Sequence, residues 1–248
     1  MSQLEIAWLG QSGFIFRFPR GAVICVDPYL SYATSAGKTR ERLTPIPIPA
    51  TELAAHIVVT THDHADHFDE HSLRPISERR TTLFAGPSSC REHWLAMELP
   101  AERFLVLDQG QSLDIADVHF KAVFAAHSSG TKQDATGIIL EADGFKLYHT
   151  GDTELVPDLI AHAQDLRPDV LFVPINGRLG NMNHEQAAQF TQLVQPRVVI
   201  PMHYGMFRHN TADPQDFINA CRQLGLTTRI VVMQTTHTFK LDPLVGEN

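Results

Sequence analysis

The sequence predicts a mixed α/β fold, and three observations carry that expectation. Residues 4–9, 14–18 and 22–26 form three short apolar runs in succession, each closed by Gly or Pro or by Asp-Pro. From residue 169 onward, strand-like and helix-like segments alternate. Between these regions, a dense group of histidines and aspartates follows directly on Ile57-Val58-Val59-Thr60, a β-branched stretch too short for a helix and suited to a buried strand. With 248 residues, 43% hydrophobic content and neither linker nor low-complexity segment, one compact domain over residues 1–248 is expected.

Taken in order, the first three runs read as a meander of strands, punctuated by Gly10, Gly13 and the Pro19-Arg20-Gly21 turn. Asp27-Pro28 ends it, because proline cannot donate a further ladder hydrogen bond. Residues 31–49 contain Gly37, Lys38, Arg40, Arg42, Pro45, Pro47 and Pro49 without a sustained period. Such a stretch reads either as a flap beside a site or as a passive surface loop. Beyond the histidine cluster, the pattern gives a helix over 70–76, a strand over 82–84, a helix from 88 or 89 to 99, and strands over 104–107 and 117–126. Strands over 137–140 and 145–148 are joined by Ala142-Asp143-Gly144, a hairpin turn sequence.

Residues 169–173 form the next strand. The helix over 184–194 has Asn183 as N-cap and Gln186 three residues later, with Ala187, Phe190 and Val194 on one face. Another strand covers 197–200 and ends at Pro201-Met202-His203. Asp213-Pro214 opens a helix that buries Phe217, Ile218, Cys221 and Leu224 before Gly225 stops it. Residues 228–233 and 238–241 are closing strands. No repeat of 20 to 50 residues is visible, although the two strand-rich halves fit a duplicated sandwich.

Composition narrows the function classes. Net charge is -8, and 14 histidines occur without a polyhistidine run, an excess that favours a metal site. Residues 1–9 lack a basic region followed by an apolar core, and no apolar run approaches about 18 residues. A cytoplasmic chain, neither secreted nor membrane-spanning, is expected. Cys25, Cys90 and Cys221 are far apart and lack C-x-x-C spacing, so they read as reduced, structural thiols.

The chemistry is concentrated in Thr61-His62-Asp63-His64-Ala65-Asp66-His67-Phe68-Asp69. His62 and His64 are two apart, so in extended geometry their imidazoles leave the backbone on the same side, and Asp66 and His67 face back after a turn. Burying these groups without partners would be costly, since the carboxylates repel one another. A divalent cation removes the problem. Imidazole nitrogen and carboxylate oxygen suit zinc or manganese first, with iron or nickel also open, and suit copper(I) or calcium less. A merely polar surface loop is the competing reading.

The H-x-H-x-D-H run after a short apolar strand resembles the signature of the metallo-β-lactamase superfamily of hydrolases. That resemblance implies a four-layer αββα sandwich of two similar halves, with a one- or two-metal site where strand-end loops gather. It further implies that His62, His64 and His127 hold one metal, Asp66, His67 and His203 the other, and that Asp152 bridges them. Two such ions would lie roughly 3.5 to 4 Å apart and bring the pKa of a shared water toward neutrality. In the family an aspartate at the position of Asp27 supports a metal-binding histidine from behind; read from the residues alone, Asp27-Pro28 is equally a turn initiator. His149, beside the Thr150-Gly151-Asp152 motif, reads as a supporting or core residue. Asp66 or Asp63 is the candidate for handling the leaving group's proton.

The oxygen-reducing diiron members of the superfamily carry glutamate where this chain has His64, which disfavours redox chemistry. Ribonuclease members need a basic surface, against which a net charge of -8 weighs. Residues 147–153, residues 199–204 and Ala212-Asp213-Pro214-Gln215-Asp216 resemble the ascorbate-6-phosphate lactonase-like branch, although the lactonases proper carry a carboxylate where this chain has His127. The expected function is a metal-dependent hydrolase that opens a lactone, or cleaves a related ester or amide, in a small metabolite. Asn176, Arg178 and Arg208, with Lys132 and His209, are the candidates to hold a substrate phosphate. A phosphodiesterase or nuclease, or a non-catalytic metal- or ligand-binding protein, are the alternatives. The expected partner is a small molecule, with a homo-oligomer open and neither nucleic acid nor membrane expected.

Overall fold

The computed structural model describes residues 3–33, 41–127, 133–235 and 237–243. The chain opens with β1 (Leu4–Gly10), β2 (Gly13–Arg17) and β3 (Val23–Val26), an antiparallel meander. Three parallel strands extend it, β4 (Ile57–Val59), β5 (Leu83–Gly86) and β6 (Phe104–Val106). A second sheet begins with β7 (Ser112–Ile115), β8 (Val118–Phe124), β9 (Thr136–Ala142) and β10 (Phe145–His149), each antiparallel to the one before it. It continues with the parallel β11 (Val170–Pro174), β12 (Val198–Met202) and β13 (Arg229–Ile230). The last strand, β14 (Thr238–Leu241), returns to pair with β1.

The two seven-stranded sheets, β14-β1-β2-β3-β4-β5-β6 and β7-β8-β9-β10-β11-β12-β13, therefore repeat one pattern of antiparallel pairs followed by parallel pairs. β14 takes in the first sheet the place that β7 holds in the second. Without this returning strand, the halves would differ by one strand and β1 would be an open edge.

Side-chain alternation sets the layers. In the first sheet Ile6, Trp8, Phe14, Phe16, Ile24, Val26, Ile57 and Val59 enter the core shared with the second sheet. Their neighbours Ile15, Cys25, Val58 and Phe84 pack on the opposite face with Leu73 and Ile76 of α1 (Glu70–Ser77) and Trp94 of α2 (Ser88–Ala96). The second sheet is covered by α3 (Pro157–Ala163), α4 (His184–Val194) and α5 (Pro214–Gln223), which contribute Leu159, Phe190 and Phe217. The result is the four-layer αββα order. β11 and β12 are buried along their whole length, as parallel strands covered on both faces must be.

Local signals explain most boundaries. Asn183 and Gln186 form a reciprocal capping box on α4, and Asp213 caps α5 ahead of Pro214. Asp143 and Gly144, both at positive φ, make the tight turn between β9 and β10. Three elements depart from the sequence expectation. β7 is an edge strand with alternately exposed residues, too weakly apolar to stand out, and Asp117, expected to open β8, sits with Ala116 in the left-handed turn between them. α3 was not expected because its short turn starts at Pro157 with only Leu159 and Ala163 buried. The strand expected over 228–233 is only Arg229–Ile230, where β12 supplies pairing.

Strand direction then decides where the loops meet. β1, β3 and β4 run the same way, as do β8, β10, β11 and β12, because two antiparallel steps restore direction and parallel steps keep it. Their C-terminal ends carry Gln11, Asp27, the run from His62 to His67, His127, Asp152, Asn176 and His203. Among the described residues, no helix is long and apolar enough to cross a membrane.

Trp94 is fully buried and packs, with tilted rings, against Phe84 and Phe104, whose centroids are 4.4 and 5.6 Å away. Trp94→Ala is expected to destabilise the fold by about 3–5 kcal/mol, read as a lowered urea midpoint with an unchanged slope.

Candidate metal centre

The stretch after β4 turns back on itself at once: the backbone N–H groups of His67 and Phe68 both donate to His64 O, at 2.9 and 2.8 Å. This tight turn folds Asp66 and His67 toward the side chains of His62 and His64. Asp69 then caps α1 through the His71 N–H, so the cluster is pinned between a buried strand and a helix start.

Seven donors converge here in three overlapping triads: His62, His64 and His127; His62, His67 and Asp152; and Asp66, His67 and His203. Within each, the candidate ligand atoms all lie within 4.8 Å of one another. His64 Nδ1 is 3.0 Å from His62 Nε2 and 3.2 Å from His127 Nε2. His203 Nε2 is 3.1 Å from Asp152 Oδ2 and 3.7 Å from Asp66 Oδ2. Donors from both halves of the chain thus surround one space.

Groups behind the imidazoles fix which nitrogen faces inward. Asp27 Oδ2 lies 2.7 Å from His67 Nδ1, and Gly180 O lies 3.0 Å from His127 Nδ1. Both partners are acceptors, so in the neutral ring each Nδ1 carries the proton and each Nε2 turns its lone pair toward the cluster. The Thr61 hydroxyl donates to Asp27 Oδ2 at 2.7 Å, which leaves its oxygen to accept from His62 Nδ1 at 3.1 Å. His62 Nε2 therefore also faces inward bare. A single proton on His64 Nδ1 can serve one of its two neighbours only. His67 Nε2 is fully buried with no hydrogen-bond partner, Asp152 Oδ1 being 3.4 Å away and poorly aimed. Converging lone pairs with an orphaned buried nitrogen are what a divalent cation satisfies, and the all-nitrogen-and-oxygen donor set fits zinc, manganese, iron or nickel.

The carboxylates are held in their turn. Asp152 accepts from Asn181 Nδ2 at 2.8 Å and from Ser12 Oγ at 3.5 Å. Asp66 accepts from Gln11 Nε2 at 2.8 Å. Asp27 accepts from the Thr61 N–H at 2.8 Å as well as from its hydroxyl and His67. His149 donates from Nε2 to Ser12 O at 2.9 Å and accepts from the Gly151 N–H at 3.2 Å. It stands behind the cluster, joining the turn after β1 to the loop that carries Asp152. Gly180 has to be glycine: its φ is +81°, and a Cβ would lie 2.9 Å from His127 Nδ1.

Charge separates the triads. Burial, reinforced by neighbouring imidazoles, lowers the pKa of His62 and His64, which keeps them neutral. Burial opposes charge on His67 and His203 as well, but Asp152 with Asp27 raises the first and Asp152 with Asp66 raises the second. Burial likewise works against ionised Asp66 and Asp152, yet the His67 and His203 imidazoles outweigh it and hold both carboxyls below their ordinary range.

Other expected residues lie apart from the donors. Asp63, offered with Asp66 for proton transfer, is not in any triad; its Oδ2 is 3.7 Å from His93 Nε2 on α2. The reason is alternation: the residue between His62 and His64 points to the opposite side. Asn176 is buried and donates to Asn210 Oδ1 at 2.8 Å, with its own Oδ1 unpaired. Arg178, Arg208 and His209 are exposed on the loops after β11 and β12. Lys132 and residues 34–40 lie outside the described residues. Of the rest of the 31–49 stretch, Arg42 donates to Tyr29 O and Ser31 O, and the Leu43 N–H donates to Met206 O at 2.8 Å. These bonds fasten it beside the loop that follows His203. Gln11, Ser12 and Asn181 are not singled out by the sequence, and Thr61 stands in the singled-out run without an assigned role. The available signal was a polar pair between Gly10 and Gly13, at the same sheet edge as Asp27.

A family model described as the Beta-lactamase superfamily domain matches residues 5–203. A UPF0173 metal-dependent hydrolase of Methanopyrus kandleri is 26% identical over 245 residues, covering 96% of this chain and all (100%) of that protein. A protein of the same designation from Polynucleobacter asymbioticus is 31% identical over 221 residues, covering 81% of this chain and 74% of its own. Among solved structures, Igni18, a metallo hydrolase of Ignicoccus hospitalis, superposes with a TM-score of 0.78 at 26% identity, covering 97% of this chain and 99% of that one.

Two outcomes follow from this geometry. Asp27→Ala frees the His67 ring and is expected to weaken divalent-cation binding about 10- to 100-fold in calorimetric titration. A histidine with a raised pKa keeps its proton to higher pH, and a cation must displace that proton to bind. On acidification, binding at Asp66, His67 and His203 should therefore fail before binding at His62, His64 and His127, giving two separate losses in a cobalt(II) absorption titration. Simultaneous loss at one pH would contradict the assignment.

Proposed function

This chain belongs to the metallo-β-lactamase superfamily, and we propose that it is a metal-dependent hydrolase that opens a lactone, or cleaves a related ester or amide, in a small metabolite. The observation that carries this reading is the convergence of seven nitrogen and oxygen donors in three overlapping triads. The designation of its relatives as metal-dependent hydrolases supports it. His62, His64 and His127 would hold one divalent ion and Asp66, His67 and His203 the other, with Asp152 reaching both. When bound, such ions supply an ionisable water near neutral pH and a Lewis acid for the carbonyl oxygen.

The chain's own residues do the rest. Asp27, Thr61 and Gly180 hold the His67, His62 and His127 rings with Nε2 toward the interior, so none of these imidazoles has to turn before the site is used. The Asp66 side chain is 24% exposed, against 5% for Asp152. Asp66 is accordingly the carboxylate at the opening, where, being ionised, it can take up the proton given up by the attacking water and hand it to a departing alkoxide or amine. Asp63 is turned toward His93 and is left out of that role. For a phosphorylated substrate, the exposed Arg178, two residues before Gly180, and Arg208, five residues after His203, would be the cations to meet the phosphate, and the buried Asn176 amide, which donates to Arg178 O at 3.2 Å, would hold the Arg178 loop.

Protein purified without chelators is expected to carry zinc or manganese, with iron or nickel as the alternatives, near stoichiometry by elemental analysis. The loaded protein should hydrolyse members of a lactone, ester and amide panel, and His62→Ala and Asp152→Ala should each reduce turnover to background. Turnover of bis(p-nitrophenyl) phosphate or RNA with no lactone turnover would establish the diesterase alternative instead. A metal-loaded protein inert toward every substrate would leave a binding protein.

A further inference from the structure

The turn between β1 and β2 enters the cluster without supplying any of its seven donors. Gln11 is completely buried, and its backbone lies in the left-handed region at φ +52°. A non-glycine residue persists there only where its surroundings over-determine it. The surroundings here are specific. Gln11 O accepts from the His203 N–H at 3.0 Å and from Trp8 Nε1 at 3.0 Å. Gln11 Nε2 donates to Asp66 Oδ2 at 2.8 Å.

The same amide nitrogen lies 3.4 Å from His203 Nδ1 and 3.3 Å from His203 Nε2. Near-equal distances to both ring nitrogens place it over the ring face, because an in-plane approach would collide with the carbon between them. Gln11 therefore packs on His203 and hydrogen-bonds Asp66, two of the three donors of one triad. The carboxamide orientation follows from chemistry: its oxygen turned toward Asp66 would set two acceptors against each other.

We propose that Gln11 is a positioning residue for the Asp66–His67–His203 cation subsite, its amide holding the Asp66 carboxylate and the His203 ring in the arrangement that binds the ion. This rests on the metal-centre reading above. It assigns to the turn after β1 a role in setting the affinity of one subsite and leaves the His62–His64–His127 subsite untouched, since Gln11 makes no hydrogen bond to those rings.

The test compares Gln11→Met, which keeps length and packing but has no donor, with Gln11→His, which restores an N–H. Zinc binding is measured by calorimetry and cobalt(II) binding by absorption, in wild-type and His203→Ala backgrounds. In the His203-containing protein, Gln11→Met should weaken one binding step about tenfold and alter its cobalt spectrum, with the other step unchanged and Gln11→His recovering most of the loss. In the His203→Ala background, Gln11→Met should have no further effect. Unchanged binding in Gln11→Met, or equal weakening of both steps, would overturn the assignment. If Gln11→Met does not fold, an unrestored binding step in a folded Gln11→His protein overturns it equally. Wild-type protein that takes up no divalent cation would overturn the metal-centre reading itself.

Discussion

The Asp27 carboxylate is the contact on which the centre depends. It is wholly buried at the end of β3, and an unpaired buried carboxylate would cost several kcal/mol. Three donors meet it: the Thr61 N–H, the Thr61 hydroxyl and His67 Nδ1. Hydrogen bonds to a charged group contribute about 1.5–3 kcal/mol each, enough to offset the burial. The consequence reaches beyond stability, because these same bonds lock the ends of β3 and β4 together and dictate the tautomers of His67 and, through Thr61, His62.

The rest of the centre repeats this logic with different partners. A backbone carbonyl, Gly180 O, orients His127; an amide, Asn181, orients Asp152; another amide, Gln11, orients Asp66. His62, His67, His127, Asp66 and Asp152 each have a neutral or opposite-charged group behind them, so the electrostatic imbalance is concentrated in the space between the donors. Left-handed backbone at Gln11, Asp27 and His203 lets the chain leave β1, β3 and β12 sharply enough to aim those groups inward.

Duplication explains how such distant positions meet. Both sheets run through antiparallel pairs and then parallel ones, so each half delivers the C-terminal ends of its parallel strands to one edge. The first half supplies Asp27 and the run from His62 to His67, the second His127, Asp152 and His203. β14, crossing back to β1, and the buried ring contacts between Phe14 and Phe172 and between Phe16 and Phe172 hold the halves face to face. His149, packed edge-on to Phe14 and bonded to Ser12 O, ties this core directly to the site.

The sequence alone determined the β-branched and alternating strands, the capping box of α4, the proline-opened α5 and the Asp143-Gly144 turn, because each is set by neighbours within a few residues. It also contained the donors: a strand running into His62-Asp63-His64-Ala65-Asp66-His67 has no low-energy use without a partner for its lone pairs. What only the tertiary structure decided was everything that depends on groups far apart in the chain. The tautomer of His127 set by Gly180 and the entry of Gln11 from β1 follow from how two sheets align, and no local pattern encodes that alignment. The weak edge strand β7 and the short helix α3 escaped for the related reason that pairing and packing, more than their own apolar content, hold them in place.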